Sequence, residues 1–372
     1  MWYVKLRAPG SGKYGAWRST GETRKRAALA AALEMYKAGI DGSTENPELA
    51  SFLLDFWNYE ASKYVRGKLA REGGISRSYC HSMTLLVEKH VKPYLEGKKI
   101  LGLTAEIFDD WMAELKGKGL GHRVINLARQ AVNVPLNYLV ELRRLPWNPL
   151  AAAKPYHETH KPRGIVSLAE LRSLLALEDT DPRVRVAIAL GSLCGMRLGE
   201  IRGLKWGDVN AELGIVRIQR SYVLIDGERP QAKHGSNRDV PLPSPAAAAL
   251  QAWRQRTPAP APTDYVLVHL DHVDRPIAGD VVLTNFKAAL RRIGISEAER
   301  AKRNVVFHSL RHWYNTILRN SIPDSVLRRL TGHRSEAMTD IYDHGKEIDF
   351  QAPRRRLEEL AALSYSAQAG RK

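Results

Sequence analysis

No continuous hydrophobic core can run through residues 150–164. The stretch reads Leu-Ala-Ala-Ala-Lys-Pro-Tyr-His-Glu-Thr-His-Lys-Pro-Arg-Gly, with two prolines, several basic side chains and no apolar repeat. A helix needs apolar residues three and four apart, and a half-buried strand needs them two apart. Each proline also removes a backbone donor and pushes the preceding residue out of helical geometry. Residues 151–164 therefore read as an exposed interdomain linker. A second break falls at Asp41-Gly-Ser-Thr-Glu-Asn-Pro47. At 372 residues and 44% hydrophobic content, the chain has enough material for two or three separate cores and is too apolar to be disordered.

Between these breaks the patterns change character. In residues 1–42, Trp2–Arg7 and Tyr14–Arg18 alternate around Pro9-Gly10-Ser11-Gly12, and an Ala-rich basic helix follows from Glu22 to Lys37. This predicts a small β-β-α module. Its helix starts with Arg24, Lys25 and Arg26, cations that oppose the helix dipole and suit an external anion as well as they suit solvent. Residues 47–150 carry four helical patterns: Leu49 to Trp57, Tyr79 to Tyr94, Ile107 to Leu115, and His122 to Arg144 with Pro135 inside, where a kink is expected. Their aromatic residues read as core rather than as a base-stacking platform. From Ser167-Leu-Ala-Glu170, which has the form of a capping box, a third region combines helices with strands at Ile215–Val223 and around Val240–Leu242. The fold class is mainly α with small β-sheets, in several domains, the last being mixed α+β over 165–345. A short amphipathic helix at Arg354–Leu363 and a polar tail complete residues 346–372.

Charge narrows the partners. Lys and Arg number 57 against 40 Asp and Glu, a net +17. Such a surplus points to a polyanion, with nucleic acid ahead of an anionic membrane surface. The two cysteines, Cys80 and Cys194, are far apart, so neither a disulfide framework nor a cysteine-based zinc site is supported. The first residues lack the apolar run of a signal peptide, and no stretch of about 18 apolar residues is present. A cytoplasmic protein without a membrane span is the expectation.

Several basic residues are spaced as if for one anion. His308-Ser-Leu-Arg311 puts an imidazole and a guanidinium three apart, on one helix face. Arginine offers a planar fork that matches phosphate oxygens. His312 lies one turn after His308, but no general-base glutamate sits between them and no third ligand is evident, so a metal site is not expected. His157 and His160 are too isolated to suggest one. Arg197 follows the end of an apolar helix and precedes Glu200 by three residues. Taken alone this is a structural ion pair; taken with the other basic residues it is a second phosphate clamp braced by a carboxylate. His333 and Tyr342 stand nine residues apart near the C-terminus.

Arg197, Lys233, His308-Ser-Leu-Arg311, Leu330-Thr-Gly-His333 and Tyr342 together resemble, in order and approximate spacing, the tyrosine recombinase (phage integrase) family. The resemblance covers roughly residues 165–345. It departs from the usual pattern at Ser309 and Trp313, neither of which is a catalytic position. The helical region ending at Asn148-Pro149 is similar to the family's core-binding domain, and the β-β-α module looks like its arm-type DNA-binding module. The resemblance implies a catalytic set of Tyr342 as nucleophile, Arg197, Arg311 and His333 around the phosphate, His308 as proton acceptor or positioning group, and Lys233 as general acid, with Glu200 in support. Lys205 is the competing lysine, and the context Lys233-His-Gly-Ser-Asn-Arg-Asp-Val-Pro-Leu242 favours Lys233.

It further implies cleavage and rejoining of double-stranded DNA at attachment sites through a 3′-phosphotyrosyl ester, with no cofactor. Because the ester conserves the bond energy, no ATP is needed, and the sequence has neither a phosphate-binding Gly-rich loop nor an evident acidic metal cluster. A tetramer on DNA and an accessory DNA-bending protein also follow from the resemblance, which favours docking of the C-terminal helix on a neighbouring subunit over packing on its own domain. A type IB topoisomerase-like enzyme and a non-catalytic DNA-binding regulator are the alternatives. Since phosphate contacts dominate such binding, affinity for a labelled duplex, read by fluorescence anisotropy, should fall on the order of 10³-fold between roughly 50 and 200 mM salt. A salt-independent affinity would contradict the polyanion reading.

Overall fold

The computed structural model describes residues 1–7, 14–39, 46–71, 74–142, 144–145, 147–159, 163–229, 237–257, 260–269, 271–272, 274–319, 321–332 and 351–362. The chain forms two compact units, Met1–His160 and Lys161–Lys372. The boundary falls inside the proline-containing stretch at 151–164.

In the first unit, β1 (Tyr3–Arg7) pairs antiparallel with β2 (Tyr14–Ser19), and α1 (Lys25–Gly39) follows. Thr20 Oγ1 donates to Trp2 O at 2.8 Å and closes the ribbon. The ribbon leaves Trp2, Tyr3 and Trp17 exposed, with the Lys5 ammonium 5.6 Å from the Trp17 ring. The helical part comprises α2 (Leu49–Trp57), α3 (Lys63–Leu69), α4 (Arg77–Leu86), α5 (Lys92–Leu95), α6 (Ala105–Gly117) and α7 (His122–Glu141). A π-helical turn at Val87–Val91 joins α4 to α5. The four sequence patterns thus correspond to α2, the α4–α5 run, α6 and α7. The short α3, capped by Ser62, was not legible as a pattern.

Pro135 sits within α7 and cannot donate to the carbonyl of Ala131, four residues back. The indole N–H of Trp57 does so instead, at 2.8 Å. A core aromatic from α2 thereby satisfies the polar group that the proline orphans. Past α7, the first part of the expected linker lies against this unit. Leu150 and Ala153 are buried, and Arg129 donates to their carbonyls at 3.2 and 2.8 Å. Asn126 exchanges two hydrogen bonds with the Tyr156 backbone.

The second unit contains α8 (Leu168–Ala176), α9 (Pro182–Leu193) and α10 (Leu198–Gly203), followed by five short strands. These are β3 (Val209–Asn210), β4 (Ile215–Ile218), β5 (Ser221–Val223), β6 (Gly227–Arg229) and β7 (Arg238–Pro241). They form a three-stranded antiparallel sheet, β3-β4-β7, and a β5-β6 ribbon. The helices α11 (Ser244–Arg254), α12 (Gly279–Arg292), α13 (Glu297–Arg303), α14 (Ser309–Arg319), α15 (Asp324–Thr331) and α16 (Gln351–Ala362) complete it. The predicted capping box is present: Ser167 and Glu170 exchange bonds at 3.1 and 2.7 Å, and Arg303 of α13 clasps the same carboxylate at 2.7 Å.

Helix α9 is apolar on nearly every face and is the centre around which this unit packs. Where it ends, Gly195 adopts φ +63°, and a Cβ there would stand 2.6 Å from the Tyr314 ring. At the other end of the chain, Leu357 of α16 is fully buried in this same core, and Glu358 accepts from Ser244 Oγ at 2.8 Å. Of the two arrangements open to this helix, within one chain it takes the packing on its own unit. Leu357 is thus used within its own unit, where the helix lies beside α11 and β7. Replacing Gly195 by Ala combines left-handed backbone strain with overpacking and should cost about 3 kcal/mol. Urea denaturation of the two proteins measures it, and an unchanged midpoint would refute the argument.

Candidate active site

The geometry follows from how three segments meet at the C-terminal end of α15. Gly195 turns the chain out of α9 so that Arg197 becomes the residue preceding α10, with φ −78° and ψ 151°. Glu200, in the first turn of α10, reaches back and accepts the Arg197 backbone N–H at 2.8 Å and its Nη1 at 2.8 Å. Helix α14 delivers Arg311, which is 1% exposed. Its Nη1 donates to Gly195 O at 2.6 Å and its Nη2 to Thr331 O. Its Nε has no hydrogen-bond partner among the described residues.

A third arginine completes the arrangement. Arg238, opening β7, donates through Nη1 and Nη2 to both oxygens of Glu200, at 3.1 and 2.9 Å, and through Nε to Leu330 O at 2.7 Å. Arg197 Nη2 donates to Gly332 O at 3.4 Å. Three consecutive carbonyls, those of Leu330, Thr331 and Gly332, are thus each met by a different guanidinium. The last carbonyls of a helix lack partners within it and carry the negative end of its dipole, so cations are favoured there. Gly332 itself is the left-handed C-cap, φ +62°.

The charges act on one another. Burial would raise the Glu200 pKa, but Arg238 and Arg197 outweigh it and hold the carboxyl at about 2. Burial and the nearby Arg197 lower that of Arg311 to about 9, still a cation at neutral pH. His308 is pushed down to about 4, first by burial and then by His312, Arg163, Arg311 and Arg197. Burial, Arg163 and Arg311 also lower His312, whose ring meets His308 edge-on at 5.0 Å.

Of the residues singled out from sequence, the structure brings Arg197, Glu200, His308 and Arg311 together. Lys233, His333 and Tyr342 lie outside the described residues. The chain resumes after the first with Asn237 and Arg238 and is described up to Gly332 before the second. Lys205, the competing lysine, is held by Glu228 at 2.9 Å with its ammonium 5.2 Å from the Tyr265 ring. Sequence reasoning missed Arg238 and Arg163. An arginine opening a strand and another in a linker look like solvated cations until tertiary partners are known.

Residues 166–347 match the phage integrase family. The second unit of this chain belongs to that family. The tyrosine recombinase XerC of Haemophilus ducreyi is 28% identical over 290 residues, covering 72% of this chain and 88% of that protein. An integrase from Streptomyces ambofaciens is 25% identical over 275 residues, covering 69% of this chain and 68% of its own length. Among solved structures, a lambda integrase tetramer bound to a Holliday junction shares the fold, with a TM-score of 0.58 at 18% identity over 93% of this chain and 94% of that one. The chain is an enzyme of the tyrosine-recombinase type, the class that carries out site-specific recombination.

The His308 shift has a defined sign. Below its ordinary value of 6.5 the unfolded chain takes up a proton that the folded site resists, so the stability contribution present above 6.5 is lost as pH falls toward about 4. His308→Gln should flatten the stability profile across that window when followed by denaturant titration. An unaltered slope would mean that His308 is not held neutral.

Proposed function

We propose that this integrase-family chain cuts and rejoins double-stranded DNA through a 3′-phosphotyrosyl intermediate, with Tyr342 as nucleophile. The observation that carries this reading is the pair of guanidiniums at the end of α15. Arg311 is buried with its Nε unmatched among the described residues, and Arg197 lies near enough to depress its pKa. Two like charges in a low-dielectric setting repel each other. Around a phosphodiester, whose non-bridging oxygens gain negative charge as it is attacked, the same arrangement becomes favourable.

In the proposed reaction the Tyr342 phenolic oxygen attacks phosphorus, an O–P bond forms, and the bond to the 5′-oxygen breaks. At neutral pH only about a thousandth of an ordinary tyrosine is phenolate. The phenolic proton passes to His308, which suits the role because its low pKa leaves it neutral and able to accept. Lys233 supplies the proton to the departing 5′-oxygen, a contribution of about 10²–10⁴ in rate for such catalysis. Arg197, Arg311 and His333 hold the charged phosphate. A 5′-hydroxyl from a second strand then reverses the steps, and the ester supplies the energy without ATP.

Exchange between two duplexes calls for four such chains, and the fold shared with the lambda integrase tetramer on a Holliday junction supports that assembly. The exposed aromatic and basic ribbon of the N-terminal module supports a separate DNA contact there. On a nicked duplex whose short cleaved fragment diffuses away, the native protein should accumulate a covalent adduct, and Tyr342→Phe should accumulate none. Sequencing the trapped ends identifies the site. A native protein that binds the duplex yet forms no adduct would instead be a regulator on the same fold. Plasmid relaxation without strand exchange would indicate a topoisomerase.

A further inference from the structure

Arg238 takes no part in the proposed reaction, yet its side chain is 6% exposed against 25% for Arg197. Both guanidiniums share one carboxylate. Oε1 of Glu200 receives Nη1 of each arginine, and Oε2 receives the Arg197 backbone N–H and Arg238 Nη2. With Arg311 the cluster holds three positive charges and one negative. A carboxylate that faced Arg197 alone would orient its fork but would also cancel most of its charge. Shared between two cations, the carboxylate orients Arg197 while much of its own charge is answered from the other side.

We propose that Arg238 is a positioning residue: it occupies Glu200 so that Arg197 keeps its charge for the scissile phosphate, and it ties β7 to the C-terminal end of α15. The inference rests on the reaction proposed above. It follows from two contacts made by one side chain. The Nη atoms set the charge balance at Glu200, and the Nε atom fixes Leu330 O, two residues before the left-handed Gly332.

The test is a double-mutant cycle between Arg238 and Glu200, read as single-turnover cleavage of the nicked duplex, with duplex affinity and thermal melting measured on each protein. Arg238→Gln should slow cleavage on the order of 100-fold while affinity changes by about threefold or less, because the loss falls on the transition state. In a Glu200→Gln background the same substitution should cost about tenfold less, since no carboxylate is left to compete for Arg197. Arg238→Lys keeps the charge at Glu200 but loses the fork that also reaches Leu330 O, so it should cleave about tenfold more slowly than the native protein. It carries the test if Arg238→Gln fails to fold. Native-like cleavage by Arg238→Gln, an equal cost in both backgrounds, or a folded Arg238→Lys as slow as the glutamine variant would each overturn the proposal. Absence of any adduct from the native protein would overturn the reaction itself, and this inference with it.

Discussion

The site is held together by a buried carboxylate clasped between two guanidiniums. Glu200 is 2% exposed, and an ionised carboxylate so placed persists only with partners that replace its water. Arg197 and Arg238 supply them from two different elements, the start of α10 and the start of β7. Each of these arginines also bonds a carbonyl at the end of α15, and Arg311 takes the carbonyl between. The clasp therefore joins α10, β7, α14 and α15 into one frame. Breaking any one member would leave a buried charge or a helix-end carbonyl without its partner, which costs more than the bond itself contributes.

The frame depends in turn on the apolar packing around α9. The Tyr314 ring lies where a side chain at 195 would stand, so only glycine permits both this packing and the left-handed turn toward Arg197. Tyr314 and Trp313 are both fully buried on α14, on either side of the positions that point Arg311 and His312 elsewhere. The chemistry is carried by charges, but their placement is set by aromatic and aliphatic contacts. The same core accepts Leu357 of α16, so the C-terminal helix contributes to the unit that bears the site.

The sequence showed four helical patterns in the first unit, the capping box at Ser167–Glu170, and a set of basic residues ordered as in one family. It showed these because periodicity, caps and motif order are local or linear properties. It did not show α3, which is too short to establish a period, or α11, whose Ala-rich stretch lacks contrast between faces. The sequence left the use of α16 open, since an amphipathic stripe fits a neighbour's surface as well as its own core. The first half of the linker is mostly exposed, as expected, but the sequence did not show that Ala153 is buried and that backbone carbonyls of the linker are offered to Arg129 and Asn126 of α7, contacts that leave no imprint on residue type.

By itself, then, the amino-acid sequence determined the family: Arg197, Lys233, His308, Arg311, His333 and Tyr342 stand in the order and approximate spacing of the tyrosine recombinases. Only the tertiary structure decided how the charges divide their work. Arg197 and Arg238 are indistinguishable as letters, each a cation beside a turn, and the pairing at Glu200 depends on strands and helices that meet across 38 residues of chain. Charge balance in a buried cluster is a sum over groups distant in sequence, and no linear pattern records that sum.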